Sequence, residues 1–302
     1  MGEYDLIIIG GGPAGLTAAI YAARYKINLL VLTREVGGLA ATAHKICNFP
    51  SYETISGFDL MQKILVQTQK LGVPIEYKDV KSITKNGERF KISTHNGDYI
   101  AKKVIFTGGT EHLQLGIKGE AVYLGKGVSY CATCDAAFFK NKQVAVIGGS
   151  DAALTAALLL SEYCNKVYII YRQDKFFRAE PSWIELVEKE KKIETLFNEE
   201  LIEIGGSSKL ELLKLKSGKD LQVDGVFIEI GSKPHLEMLD SLNITKDKNY
   251  IVVNQKQQTN VEGFYAAGDV TNNELKQIVT AAAQGAVASF NIFQELRRER
   301  PA

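Results

Sequence analysis

Apolar residues along the chain fall into two alternating rhythms. Residues 4–9 build into a continuous run, Leu6-Ile7-Ile8-Ile9, whose length and branching predict a strand buried on both faces of a parallel sheet. An Ala-rich helical stretch follows at 16–25, then a second apolar strand at 29–32. Residues 57–71 carry the spacing of an amphipathic helix. Short alternating segments at 75–77, 80–83, 90–94 and 99–101 predict a small meander, and 103–106 a strand closing on Thr107-Gly108-Gly109. The pattern then restarts: strand at 143–147, helix to about Tyr163, strand at 167–170. A charged helix at 183–191 and strands at 201–204, 210–216 and 226–230 come next. Residues 263–269 read as a strand that delivers one carboxylate, Asp269, before a closing helix over about 275–296.

The turns inside the two repeats carry the first chemistry. Gly10-Gly11-Gly12-Pro13-Ala14-Gly15 lies between strand and helix, the context in which this spacing marks a dinucleotide site. Gly10 makes the turn, Gly12 lets backbone approach a pyrophosphate, and Gly15 lets helix pack on strand. Glu35, past the second strand, stands at the distance of a ribose partner. The second turn is Gly148-Gly149-Ser150-Asp151-Ala152-Ala153, with Ser150 at the close-approach position. Its second strand ends in Tyr171-Arg172-Gln173 without an acid, and Arg172, Lys175 and Arg178 cluster there, which suits a 2′-phosphate or else a solvated basic loop. Two such units imply two nucleotides, one held tightly and one that comes and goes. The expected fold is α/β: two Rossmann-like three-layer nucleotide-binding domains, each with a small β-meander, the second inserted in the first. The expected boundaries are 1–112 with 238–302, and 113–237.

Composition narrows the setting. The 302 residues are 45% hydrophobic and 24% charged with a net charge of +1, as for a globular enzyme with no nucleic-acid partner. The basic cluster at 297–300 reads as a solvated helix end. Acids near the N-terminus where a signal peptide has Lys or Arg, and an apolar run too short to span a bilayer, make cytoplasmic the expectation, with no membrane partner. Four cysteines are present, and Cys131 and Cys134 sit two residues apart in Ser-Tyr-Cys-Ala-Thr-Cys-Asp. That spacing closes a small disulfide that is readily cycled, and Asp135 beside it can give or take a proton. Zinc would need four soft ligands, and a structural disulfide is unexpected in a chain so poor in cysteine. An inert buried pair is the remaining alternative. Cys47 and Cys164 are expected to be small core hydrophobes. His44, His95, His112 and His235 show no metal spacing, so no metal is expected.

Together these residues resemble the low-molecular-weight thioredoxin reductase family. The resemblance runs through GGGPAG at 10–15, CATCD at 131–135, AAGD at 266–269 and KQIVTAAAQG at 276–285, with the cysteine pair just before the inserted domain's first strand. It implies FAD in the outer domain, NADPH in the inner one, and a homodimer whose substrate is thioredoxin or a thioredoxin-like protein. Cys134 would face the flavin, Cys131 would attack the protein disulfide, and Asp135 would donate a proton. The FAD set it implies is Gly10, Gly12, Pro13, Ala14, Gly15, Thr33, Glu35, Gly38, Asn48, Val80, Gly108, Gly268, Asp269, Lys276, Gln277 and Ile278. The NADP set is Gly148, Ser150, Asp151, Ala152, Arg172 and Arg178. The inner domain is expected to rotate about two strands, near 110–116 and 234–242. The chain departs from the family at Leu39 and Lys276, where Gln and Arg are usual, and at Tyr171, Gln173 and Arg178, where a His-Arg-Arg signature with a third Arg is usual. These departures keep other donors open: NADH, reduced ferredoxin or a deazaflavin. Two further readings are a thiol oxidase running in reverse and a non-catalytic flavin-binding redox sensor.

Overall fold

The computed structural model describes residues 3–299, so Arg300 of the basic cluster lies outside the described residues. Its chain divides into two compact units: residues up to 41, 46–111 and from 233 onward form one, and 42–45 with 112–232 form the other.

The first unit begins with β1 (Glu3–Gly11), α1 (Pro13–Arg24) and β2 (Leu29–Val36), followed by the short α2 (Gly38–Ala41) and by α3 (Gly57–Lys70). Four strands come next: β3 (Ile75–Tyr77), β4 (Val80–Asn86), β5 (Arg89–Thr94) and β6 (Gly97–Phe106). Strands β3-β2-β1-β6 are parallel, β5 pairs antiparallel with β6, and β4 pairs antiparallel with β5. The two strands expected at 99–101 and 103–106 are one long strand. Its first half pairs with the meander, and its last residues pair with a strand from far down the chain. Both faces of β1 are apolar for a reason visible in the packing. Ile7 and Ile9 join Phe90, Ile92, Leu239 and Leu242, while Leu6 and Ile8 join the alanines of α1 and of the final helix. Continuous apolar runs are what a doubly covered parallel strand requires.

Two short connections, β7 (Glu111–His112) and β16 (Ser232–Lys233), pair with each other where the chain passes between units. Between them lie β8 (Val128–Ser129), α4 (Ala132–Asp135), β9 (Gln143–Ile147), α5 (Asp151–Tyr163) and β10 (Lys166–Tyr171). They continue through α6 (Pro181–Lys189), β11 (Ile193–Phe197), β12 (Leu201–Gly206), β13 (Leu210–Leu215), β14 (Asp220–Gln222) and β15 (Gly225–Ile228). The order β11-β10-β9-β15-β8 is parallel throughout, and β12-β13-β14 is an antiparallel meander. Each unit is thus a layered α/β body with its own meander.

Back in the first unit, 237–242 forms a 3-10 helix. Leu239 and Leu242 enter the core, and the Ser241 hydroxyl donates to the Ile83 carbonyl at 2.6 Å. The connecting strand expected there is instead at 232–233, because the leucines that follow are more stable buried than spanning a linker. The small hairpin β17 (Lys246–Asp247) and β18 (Tyr250–Ile251) precedes β19 (Phe264–Ala266), the strand that pairs with β6, and α7 (Ile278–Glu299) closes the unit. No helix among the described residues is long and apolar enough to cross a membrane.

Candidate active site

In the first unit the glycine turn is fixed from below. Gly10 has φ +114°, and a Cβ there would lie 2.3 Å from the Thr107 carbonyl oxygen. A Cβ at Gly15 would lie 1.9 Å from the Gly10 carbonyl oxygen. Thr107, at the end of β6, donates from its hydroxyl to the carbonyls of Ile9 (2.9 Å) and Gly10 (3.1 Å) and so pins the turn. Gly12 is different: nothing lies within 4 Å of where its Cβ would be, and α1 begins there with no side chain capping its N–H groups. Open space in front of free helix N–H groups is what a pyrophosphate needs.

The fold brings distant residues to this turn. Gly268 (φ +85°) lies against Ala14, and its N–H donates to Gln284 Oε1 at 2.7 Å. Asp269 follows, and its carboxylate has no hydrogen-bond partner among the described residues. Burial raises its pKa above the ordinary carboxylate value, and nearby Lys276 pulls it back. Lys276 donates to the carbonyls of Asp269 (3.1 Å) and Thr271 (2.7 Å) and sits 4.0 Å from the Tyr250 ring centroid. Burial lowers its own pKa, and Asp269 partly offsets this. The Asn48 amide donates to Gln277 Oε1 at 3.1 Å, joining two residues 229 positions apart, and Ile278 opens α7 beside them. Thr33 is buried within β2, Glu35 is exposed, and Gly38 opens α2. Gly108 is exposed just beyond Thr107, whereas the Val80 side chain is buried in the core, leaving only its backbone to face a ligand. Sequence reasoning gave no role to Thr107 or Gln284, since a lone hydroxyl or amide carries no pattern.

The second unit repeats the device. Gly148 has φ +144°, and a Cβ there would lie 2.2 Å from the Glu229 carbonyl oxygen. Ser150 precedes α5, and neither its hydroxyl nor any other side chain caps that helix. Asp151 accepts the Glu180 N–H at 2.6 Å, and Ala152 is exposed beside it. The Tyr171 ring lies on Gly149 and stacks on Phe176 at 5.8 Å. Arg172 and Arg178 are exposed without a carboxylate partner among the described residues, Arg178 lying 5.6 Å from the Phe177 ring centroid.

Cys131 and Cys134 are bonded to each other, with Cα atoms 5.3 Å apart. Cys131 is the N-cap of α4, and the Cys134 N–H donates to Cys131 Sγ at 3.2 Å. Ser129 Oγ accepts the Cys131 N–H at 3.0 Å, holding the loop that enters α4. Asp135 ends α4 and is half-buried. Of the other cysteines, Cys164 is buried, as expected, and burial pushes its thiol up to about 11. Cys47 is exposed, which corrects the expectation of a core position: its loop buries Ile46 instead. Among the described residues no three His, Cys, Asp or Glu side chains gather as a metal would need.

The pyridine nucleotide-disulphide oxidoreductase family matches residues 4–285. A thioredoxin reductase from Listeria innocua is 40% identical over 296 residues, covering 95% of this chain and 92% of that protein. The chain belongs to the thioredoxin reductase family. A crystal structure of thioredoxin reductase from Lactococcus lactis superposes with a TM-score of 0.94 at 37% identity, covering 98% of this chain and 99% of that one. A ferredoxin-flavin thioredoxin reductase from Clostridium acetobutylicum is similar at 35% identity and a TM-score of 0.56, with 98% and 99% covered. Membership makes this thioredoxin reductase homologue an oxidoreductase that works with a flavin and a pyridine nucleotide. The cradles fit two such ligands: open space at Gly12 and an unpaired carboxylate at Asp269 in one, an uncapped helix and an unpaired Ser150 hydroxyl in the other.

Proposed function

We propose that the chain is a thioredoxin-disulfide reductase that holds FAD in the first unit and takes electrons from NADPH in the second. The observation that carries this reading is the bonded Cys131–Cys134 pair with the Cys134 N–H aimed at Cys131 Sγ. In the first unit Gly12, Pro13, Ala14 and Gly15 would hold the pyrophosphate, Glu35 the ribose, and Asp269 the hydroxyls of the flavin side chain. Asn48, Lys276, Gln277 and Ile278 would line the ring. In the second, Gly148, Ser150, Asp151 and Ala152 would hold the pyrophosphate, and Arg172 and Arg178 the 2′-phosphate. A flavin held there would supply a two-electron relay between a reduced pyridine nucleotide and a disulfide.

The rest is the chain's own chemistry. Two electrons and two protons convert the Cys131–Cys134 disulfide to a dithiol. The Cys134 N–H stabilises negative charge on Cys131, so Cys131 is the readier thiolate. Asp135 takes the Cys131 proton as that thiolate forms; Cys131 attacks one sulfur of a thioredoxin disulfide, forming a mixed disulfide and expelling a thiolate, to which Asp135 returns the proton. Cys134 then loses its proton and attacks Cys131 Sγ, restoring the internal disulfide and expelling the second thioredoxin sulfur, which takes that proton, so reduced thioredoxin leaves as a dithiol. We read the enzyme as a cytoplasmic homodimer, so light scattering should give twice the chain mass. The functional test is thioredoxin reduction followed by thiol release. The wild type should turn over, and Cys134→Ser and Cys131→Ser should fall to background. Turnover retained by Cys134→Ser would overturn the reading.

A further inference from the structure

The two units place different residues at one structural position. In the first, Thr107 follows β6, its N–H donates to the Ile9 carbonyl at 2.7 Å, and its carbonyl sits on Gly10. In the second, Glu229 follows β15, its N–H donates to the Ile147 carbonyl at 2.8 Å, and its carbonyl sits on Gly148. Thr107 then uses its hydroxyl to tie down the carbonyls of Ile9 and Gly10. An ionised carboxylate only accepts, so Glu229 cannot do this for Ile147 and Gly148. Its side chain is half-buried and makes no hydrogen bond or ion pair among the described residues, and partial desolvation pushes its pKa up to about 7. A half-buried acid without a partner loses part of its hydration for no hydrogen bond, in a fold that offers threonine as the alternative.

Its location says what the acid is for. The sheet order reverses between β9 and β15, since β10 lies on one side of β9 and β15 on the other. Ligands of open α/β sheets lie in the crevice at that reversal, outside the carboxyl ends of the strands. The uncapped start of α5 takes the pyrophosphate, and the end of β10, with Arg172, takes the adenosine half. The other half must then run over the end of β15. There the nicotinamide riboside offers the donors Glu229 lacks, its carboxamide N–H and its ribose hydroxyls.

We propose that Glu229 is the acceptor that binds the nicotinamide-riboside half of the pyridine nucleotide in the second unit. This rests on reading that unit as the pyridine-nucleotide site. Neighbouring strands β8 and β9 carry no titratable side chain, and Asp151 at the head of α5 already accepts the Glu180 N–H, so no other acid there duplicates Glu229.

The test is calorimetric binding to the flavin-loaded enzyme, using NADP+ and NAD+ against their adenosine halves, 2′,5′-ADP and ADP. Glu229→Thr copies the first unit and Glu229→Gln keeps the shape. Both should lose about tenfold or more in affinity for the whole dinucleotide. Binding of the adenosine half should not change, and the melting temperature of Glu229→Thr should not fall, since threonine can tie down the turn. Equal loss for whole and half ligands, or no loss for either, would overturn the proposal while leaving the nucleotide site in place. Failure of the wild type to bind either half or whole ligand would overturn the site reading and the proposal together.

Discussion

At the scale of single residues, the division of labour in the cysteine pair follows from one N–H. In the disulfide Cys134 N–H donates to Cys131 Sγ and nothing comparable reaches the Cys134 sulfur among the described residues, which is why we propose that Cys131 carries the charge after reduction. Thioredoxin carrying one activated cysteine, its second replaced by serine, should form a covalent adduct with reduced Cys134→Ser and none with Cys131→Ser. Adduct only with Cys131→Ser would reverse the assignment, and non-reducing electrophoresis reads either result. Glu229 sets a second expectation. Its pKa is raised in the folded chain, so the folded state binds that proton more tightly than the unfolded state. The stability this gives is fully present below about pH 4.5 and is lost as the pH rises through about 7. Urea unfolding without added nucleotide should therefore show Glu229→Gln gaining on the wild type between pH 5 and 8, by roughly 3 kcal/mol at most. A constant difference across that range would show Glu229 to be solvated.

At the scale of elements, the first strand-turn-helix separates structural glycines from ligand glycines. A methyl at Gly15 meets the Gly10 carbonyl, while one at Gly12 meets no protein atom. Gly15→Ala should cost about 3 kcal/mol of stability. Gly12→Ala should leave the melting temperature of the flavin-free protein unchanged yet lower the flavin content after purification, read from the absorbance ratio. The glycine turns, the apolar parallel strands and the cysteine pair were legible in sequence because each is a local pattern. Thr107, Gln284 and Glu229 were not, because their meaning lies in which strand end or helix they meet after folding. Cys47 is exposed against expectation because the loop between α2 and α3, residues 42–56, has no periodicity from which to read burial. The 3-10 helix at 237–242 was read as a connection for the opposite reason: its leucines bury against strands more than a hundred residues earlier, and only the folded core shows that.

At the scale of the molecule, one repeated plan is used twice with different chemistry at matching positions. Gly12 is matched by Ser150, Glu35 by Gln173, and Thr107 by Glu229, so the two units differ at the helix start, beyond the second strand and at the end of the strand that pins the turn. A tightly held ligand and an exchanging one call for such differences. The repeat was visible in sequence because both copies keep the strand-glycine-helix order, while the chemistry specific to each copy depends on substitutions at those matched positions. We propose that electrons run from a pyridine nucleotide through a bound flavin to the Cys131–Cys134 disulfide and on to thioredoxin. Anaerobic stopped-flow of the flavin absorbance, mixing with NADPH or NADH and then with oxidised thioredoxin, follows that path. Rapid bleaching by NADPH, slower bleaching by NADH, and return of the absorbance with thioredoxin in the wild type but not in Cys134→Ser are expected. A flavin that neither nucleotide bleaches, though dithionite does, would contradict it.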